Sequence, residues 1–228
     1  MIYWVSRVLA RFWIGAHFTI DVQGLERIPP QGPAILVLNH PCAIDGLMMV
    51  ALLRRRLHSY TLARNARHPI AAWYIRRMGS QPVAPGADNR LATRQAEAAL
   101  RDGLLFGICP EGHVSTEVTP GPFRPGFMKL AVTTGAPVIP IAIAGTERAL
   151  RNRWRPSALD LLLMGRAHVR IRVLEPIVFD NPTLDRDQFD RDVARVYQLI
   201  ANQYQLLASQ LTGGESHETA RLARLPRA

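Results

Sequence analysis

The sequence predicts an α/β fold in one domain, a mostly parallel central sheet flanked by helices, with an amphipathic helix in front of it. Two observations carry that prediction. Short uncharged apolar runs, such as Ala34–Leu38 and residues 104–109, read as strands buried on both faces. Stretches with helical periodicity alternate with them, the order expected of strand–helix–strand units. No internal repeat is present, and 228 residues suffice for one good-sized domain with an appendage.

Taken in order, residues 1–18 put Ile2, Val5, Leu9, Trp13 and Ile14 near helical spacing. Trp4, Phe12 and Phe18 add aromatic bulk, and Arg7 and Arg11, four apart, share a face. An apolar face opposed to a cationic one is the pattern of a helix lying in a membrane interface; a helix packed on a core shows it too. Residues 19–22 read as a short edge strand and 24–32 as a turn-rich link. The 34–38 strand and a helix over 46–53 follow, closed by Arg54-Arg55-Arg56 against the helix dipole. That triplet is either a solvated end or, with Arg64, Arg67, Arg76 and Arg77, a basic surface facing lipid headgroups or an acidic acyl carrier. A strand over 59–63, a helix over 68–78 and a short strand over 79–83 come next. A helix over 89–102 is ended by Gly103, and the 104–109 strand runs into a loop. Beyond that loop lie a helix from about 126 to 134 and a strand over 136–144 broken by Pro140. Residues 149–164 are irregular and then apolar, a second candidate lipid-facing surface. A half-exposed strand covers 168–173, and 177–179 extends the sheet. The longest helix, 188–211, carries the stripe Val193, Tyr197, Ile200, Tyr204, Leu207 and Leu211. The organisation is therefore an interfacial helix over 1–18, one domain over 19–211 and a disordered tail over 212–228.

Composition narrows the partners. The net charge of +10 is almost wholly arginine, because Lys129 is the single lysine. With a pI near 10.8 it favours phospholipid surfaces, nucleic acid or acidic carriers. No zinc finger or aromatic recognition motif accompanies the charge, so nucleic acid is not the expected partner. No cofactor or metal is expected either: phosphate-binding and dinucleotide loops are missing, and the histidines and cysteines lack zinc-site spacing. The absence of Gly-x-Ser-x-Gly argues against a serine hydrolase. Cys42 and Cys109, far apart and beside apolar strands, read as reduced thiols of a cytoplasmic protein. Arg7 and Arg11 interrupt the N-terminal apolar stretch, which speaks against a signal peptide, and the long uncharged runs are broken by Gly and Pro.

The chemistry gathers at Asn39-His40-Pro41-Cys42-Ala43-Ile44-Asp45, between the 34–38 strand and the next helix. Strand carboxyl ends are where α/β folds place their sites. Residues five apart do not share a helix face, so a His40–Asp45 hydrogen bond requires His40 in the loop and Asp45 in the first helical turn. Such a pair lets the carboxylate fix the imidazole tautomer while the other nitrogen takes a proton from a hydroxyl. The alternative is a capping or stacking histidine beside an N-capping aspartate.

Four blocks in fixed order then define a resemblance: Asn39-His40-(four residues)-Asp45; Gly79-Ser80-Gln81-Pro82-Val83; Pro110-Glu111-Gly112-His113-Val114-Ser115 with Phe123-Arg124-Pro125-Gly126; and Val138-Ile139-Pro140-Ile141-Ala142. The chain resembles the glycerolipid acyltransferase family, whose best-known members are the 1-acylglycerol-3-phosphate acyltransferases, over roughly residues 22–178. The resemblance implies acyl transfer from acyl-CoA or acyl carrier protein to a lipid hydroxyl, by a peripheral protein on an anionic membrane surface at the cytoplasmic face. It implies His40 as general base, Asp45 as its orienter, and no covalent acyl-enzyme. Glu111, Gly112, Ser115 and Arg124 would bind substrate, although Glu111 equally suits a structural carboxylate. Two positions depart from the family pattern. Val114 stands where an arginine commonly precedes the serine, and Ala84 and Pro85 stand where another follows the second block. Those arginines are the expected clamps for an acceptor phosphate. The acceptor is therefore a lysophosphatidic-acid-type lipid, another lyso-lipid, an amino-lipid or a glycolipid. A non-catalytic lipid-binding member and a thioesterase are the competing readings.

Overall fold

The computed structural model describes residues 1–115, 119–150, 157–179 and 185–212. Helix α1 (Ile2–His17) precedes a seven-stranded sheet. The strands are β1 (Phe18–Gln23), β2 (Ala34–Leu38), β3 (Leu57–Leu62), β4 (Ser80–Val83), β5 (Leu105–Ile108), β6 (Val138–Ala144) and β7 (Ala167–Val173). Between and after them run α2 (Asp45–Leu52), α3 (Pro69–Arg77), α4 (Arg90–Arg101), α5 (Gly126–Thr134), α6 (Ala158–Leu163) and α7 (Arg186–Thr212). The strand order is β1-β7-β6-β2-β5-β3-β4, with β6 and β7 the antiparallel pair. The fold is the expected one, and β2 lies at its centre between β6 and β5.

The two faces of β2 are both covered because successive side chains alternate. Leu36 and Leu38 join a cluster with Ile14 of α1 and Met48 and Met49 of α2. Ile35 and Val37 face Leu100 of α4, Phe127 of α5 and Ile200 of α7. This explains the unbroken apolar runs in β2 and β6, which are buried along their whole lengths. Five strands, β2 to β6, run in one direction, so their carboxyl ends share one edge of the sheet.

Several expectations shift. Pro140 does not break its strand. Its missing N–H falls on the β7 side, beyond the end of that ladder at Ile141, while its carbonyl on the same side accepts from the Leu174 N–H at 2.8 Å. Residues 177–179 form no strand; Ile177 makes a single bridge to Val138. The strand expected at 59–63 starts at Leu57 and gives way to a 3-10 turn at Ala63. β7, by contrast, is the half-exposed strand expected, alternating in burial, and it runs between β1 and β6. Within the apolar stretch after residue 149, α6 exposes Leu159 and Leu162; residues 151–156 lie outside the described part, as does the expected tail beyond 212.

α1 is oriented differently from the sequence expectation. Arg7 is buried, and its Nε donates to the Leu53 carbonyl at 2.7 Å; Arg11 reaches Ala51 O at 3.4 Å. Both arginines thus turn inward onto the carbonyl end of α2, where a cation suits the helix dipole. What faces outward is apolar: Trp4, Val5, Val8, Leu9 and Phe12, the last 75% exposed. Of the arginine triplet, Arg55 ties the carbonyls of Pro29, Gly32 and Gly103 together at 2.8, 2.7 and 2.6 Å. Arg56 binds the Arg77 carbonyl and covers the Tyr3 ring.

Candidate active site

Beyond β2 the chain is fixed residue by residue. Asn39 continues the sheet with its side chain: Nδ2 donates to Ile143 O at 2.9 Å, and Oδ1 accepts from Ile143 N–H at 2.8 Å. An amide can imitate a backbone pair in this way because it offers one donor and one acceptor side by side. His40 follows, its N–H donating to Glu111 Oε1 at 2.7 Å and its carbonyl accepting from Ser115 N–H at 2.8 Å. The backbone of His40 is therefore clamped to the loop after β5.

The imidazole then meets Asp45. His40 Nδ1 lies 2.9 Å from Asp45 Oδ2, with His40 in the loop and Asp45 in the first turn of α2. Oδ2 also accepts from Cys42 N–H at 2.8 Å, and the carboxylate is wholly buried at the positive end of the helix. A carboxylate acceptor on Nδ1 makes that nitrogen the protonated one and leaves Nε2 with a lone pair able to take a proton.

The second loop is organised by Glu111, which is buried and accepts three protein donors. Oε1 takes the His40 N–H; Oε2 takes the Ser115 hydroxyl and the Gly121 N–H, the latter at 2.8 Å. The polar side-chain atoms of Glu111 and Ser115 are thus spent on each other and on the loop. Gly112 has φ +76°, and a Cβ there would come within 3.3 Å of the Arg124 guanidinium. Glycine is what permits both that backbone and the close approach. Arg124 in turn donates its N–H to Pro110 O.

A cavity of about 1240 Å³ opens in front of this constellation. His40, Cys109, Gly112, His113 and Arg124 line it, together with apolar Leu47, Val50, Ile75 and Phe127. Its volume exceeds the roughly 300–1,000 Å³ of ordinary small-ligand sites. The departing positions Val114, Ala84 and Pro85 also line it, as do Arg64 and Lys129.

The spacing argument did not find Cys109. It is the first residue beyond β5, whose Ile108 pairs with Val37, and it lines the same cavity as His40. The one signal for it in the sequence was its place directly before Pro110-Glu111-Gly112 at a strand end. Burial acts most strongly on His40 and would lower its pKa. The Cys109 sulfur, by hydrogen bond and by its charge when ionised, and the Asp45 carboxylate outweigh burial and raise it well above the ordinary imidazole value. Cys42, on the other side of the pair, is fully buried, and burial followed by the Asp45 charge pushes its thiol up to about 12.

Residues 19–144 match the family model described as Acyltransferase. Relatives include a chloroplast 1-acyl-sn-glycerol-3-phosphate acyltransferase of Brassica napus, 25% identical over 206 residues covering 87% of this chain and 57% of that protein. A chloroplast counterpart in Arabidopsis thaliana is 26% identical, over 77% of this chain and 48% of its own length. The lyso-ornithine lipid O-acyltransferase of Pseudomonas aeruginosa is 28% identical, over 84% and 75%. The chain thus spans about half the length of the two plant relatives. Among solved structures, the 1-acyl-sn-glycerophosphate acyltransferase PlsC of Thermotoga maritima has the same fold, with a TM-score of 0.71, 20% identity and coverage of 95% of this chain and 81% of that one.

Proposed function

The chain belongs to the acyltransferase family, and from that premise we propose that it moves a fatty acyl group from acyl-CoA or acyl carrier protein to a hydroxyl of a lysophospholipid-type acceptor. The observation that carries this reading is the His40–Asp45 pair, 2.9 Å apart, set in the wall of a large, mainly apolar cavity. A lipid hydroxyl has a pKa far above neutrality, so it needs a base in contact as it attacks. Nε2 of His40 takes that proton while Asp45 stabilises the imidazolium. The tetrahedral species collapses, and the departing thiolate recovers the proton. Glu111 and Ser115 act one step back, holding the loop against which His40 is clamped. Arg124, lying over Gly112, replaces the missing arginines as the anion contact, with Arg64 and Lys129 on the same cavity wall.

The setting is a membrane surface on its cytoplasmic face. Among the described residues no helix is long and apolar enough to cross a membrane. The outward side of α1 and the exposed Ile70, Trp73 and Tyr74 of α3 form one apolar region, joined where Tyr74 Oη donates to Ser6 Oγ at 3.0 Å. Tyr74 and Ile75 also line the cavity, so that apolar region adjoins the cavity that holds His40.

A second acceptor class has a specific observation behind it. With Val114 and Pro85 at the cavity wall in place of the clamps, an amino-lipid such as a lyso-ornithine lipid suits the site as well. The test is transfer of labelled acyl groups from acyl-CoA, and separately from acyl carrier protein, into lysophosphatidic acid and lyso-ornithine lipid. Wild type labels one of them, and His40→Ala labels neither while melting at the same temperature. Equal labelling by the variant would end the general-base assignment.

A further inference from the structure

Two hydroxyls stand side by side in the wall of the cavity. Leu36 of β2 is level with Gly107 of β5, Gly107 with Ser59 of β3, and Ser59 with Ser80 of β4, which makes one row across four strands. Side chains in such a row share a face, and Leu36 and Leu57 put this one on the side covered by α1 and α2. Ser59 Oγ and Ser80 Oγ lie 2.9 Å apart. Both residues line the cavity that holds His40, as do apolar Val50, Ile75 and Met78. A serine pair across two strands can serve the sheet alone. This pair has more to offer. Two hydroxyls carry two protons and their mutual bond uses one; among the described residues neither oxygen has another partner. One O–H and several lone pairs are therefore left to whatever fills the cavity. A plain hydrocarbon chain lying against them would take away their water and give nothing back.

We infer that Ser59 and Ser80 form a subsite for a hydroxyl group on the fatty acyl chain being transferred, so that the favoured donors are hydroxylated acyl groups. The inference rests on the acyl-transfer reading and names the donor class within it. The hydroxyl of such a chain donates to one serine oxygen and accepts the unpaired O–H of the other, so every polar group at that depth has a partner. The register also sets which carbon carries it. Ser59 is level with Leu36, four residues before His40, and β3 lies two strands from β2. At about 3.3 Å per residue and about 4.8 Å per strand, the separation from His40 is roughly 16 Å. An extended chain advances about 1.2 Å per bond, so the hydroxyl belongs about ten to thirteen carbons from the thioester. A hydroxyl on the third carbon would lie beside His40 and never meet the pair.

The experiment measures kcat/KM of the whole protein for octadecanoyl, 3-hydroxyoctadecanoyl and 12-hydroxyoctadecanoyl donors. They are presented as CoA and as acyl carrier protein thioesters, with lysophosphatidic acid and lyso-ornithine lipid as acceptors. The 12-hydroxy donor is expected to exceed both others by about tenfold or more, the size of one hydrogen bond gained away from water. In the double variant Ser59→Ala with Ser80→Ala that ratio falls to near one, because both partners are gone. The ratio is read within each protein, so a general loss of activity does not imitate it. Should the double variant fail to fold, the wild-type ranking decides alone. Transfer of the unsubstituted chain at an equal or higher rate, or a preference for the 3-hydroxy donor, would overturn the subsite and leave the transferase reading intact. A ratio that survives in the double variant would do the same. A further arm keeps the donor unsubstituted and puts the hydroxyl on the acceptor's own acyl chain; a gain there that the double variant abolishes would overturn the assignment to the donor. If no donor is consumed with either acceptor, both readings fall together.

Discussion

His40 is gripped at three points, by Glu111 on its N–H, by Ser115 on its carbonyl and by Asp45 on its ring. The spacing in the sequence permitted the last of these, with His40 in the loop and Asp45 in the first helical turn, and the other two depend on a loop about seventy residues away. Asp45→Asn offers the ring an N–H where it needs an acceptor and so favours the wrong tautomer. It is expected to lower kcat by about three to four orders of magnitude with little change in donor KM; an unaltered rate would reduce Asp45 to a helix cap. The same substitution has a pH signature. Because Cys109 and Asp45 raise the His40 pKa, the neutral base grows in only above the usual imidazole range, and kcat/KM for the acceptor climbs with pH through that raised value. Removing the carboxylate moves the rising limb to lower pH, and a limb that stays in place would show that Asp45 does not act on the imidazolium. Glu111→Gln sets an amide against donors that the carboxylate accepts. The expected cost is about 1–3 kcal/mol of stability, read as a lower melting temperature together with lost activity.

At the scale of elements, α1 and α2 are one unit. Tyr3, Ala10 and Ile14 are buried, Tyr3 Oη accepts from the Leu57 N–H at 2.9 Å, and Arg7 closes the end of the helix that begins with Asp45. Deleting α1 would therefore disturb the site as well as the surface, so the membrane role calls for point changes. Leu9→Asp with Phe12→Asp alters only the outward face, where these side chains are 64% and 75% exposed. The pair is expected to weaken vesicle binding roughly tenfold or more per residue, at about 1.5–3 kcal/mol for each large apolar side chain. Activity on a detergent-dispersed acceptor should persist. Undiminished sedimentation with vesicles would assign the apolar face of α1 to some other contact. The sequence pattern announced the amphipathic helix but not that its arginines turn inward, because periodicity says that two faces differ and not which one meets the core.

For the molecule as a whole, the charge of +10 and the apolar region beside the cavity point to the same partner surface. Binding to vesicles rich in anionic lipid is expected to fall steeply between low and physiological salt, while binding to zwitterionic vesicles stays weak throughout; salt-independent binding would leave the apolar face as the whole attraction. The sequence by itself determined the fold class, because strands buried on both faces must be apolar at every position and helices between them must be periodic. It also determined the His40–Asp45 spacing and the block order that marks the family, since both are local. Only the tertiary structure decided what depends on residues far apart in the chain. The sheet order brings the ends of β2 and β5 side by side, and this sets Cys109 in the same cavity wall as His40 and turns Glu111 into the clamp of the His40 backbone. It also turned Arg7 inward and let Pro140 stand unbroken in a central strand. Such contacts are set by which strand ends become neighbours, and no periodicity or spacing within a segment records that choice.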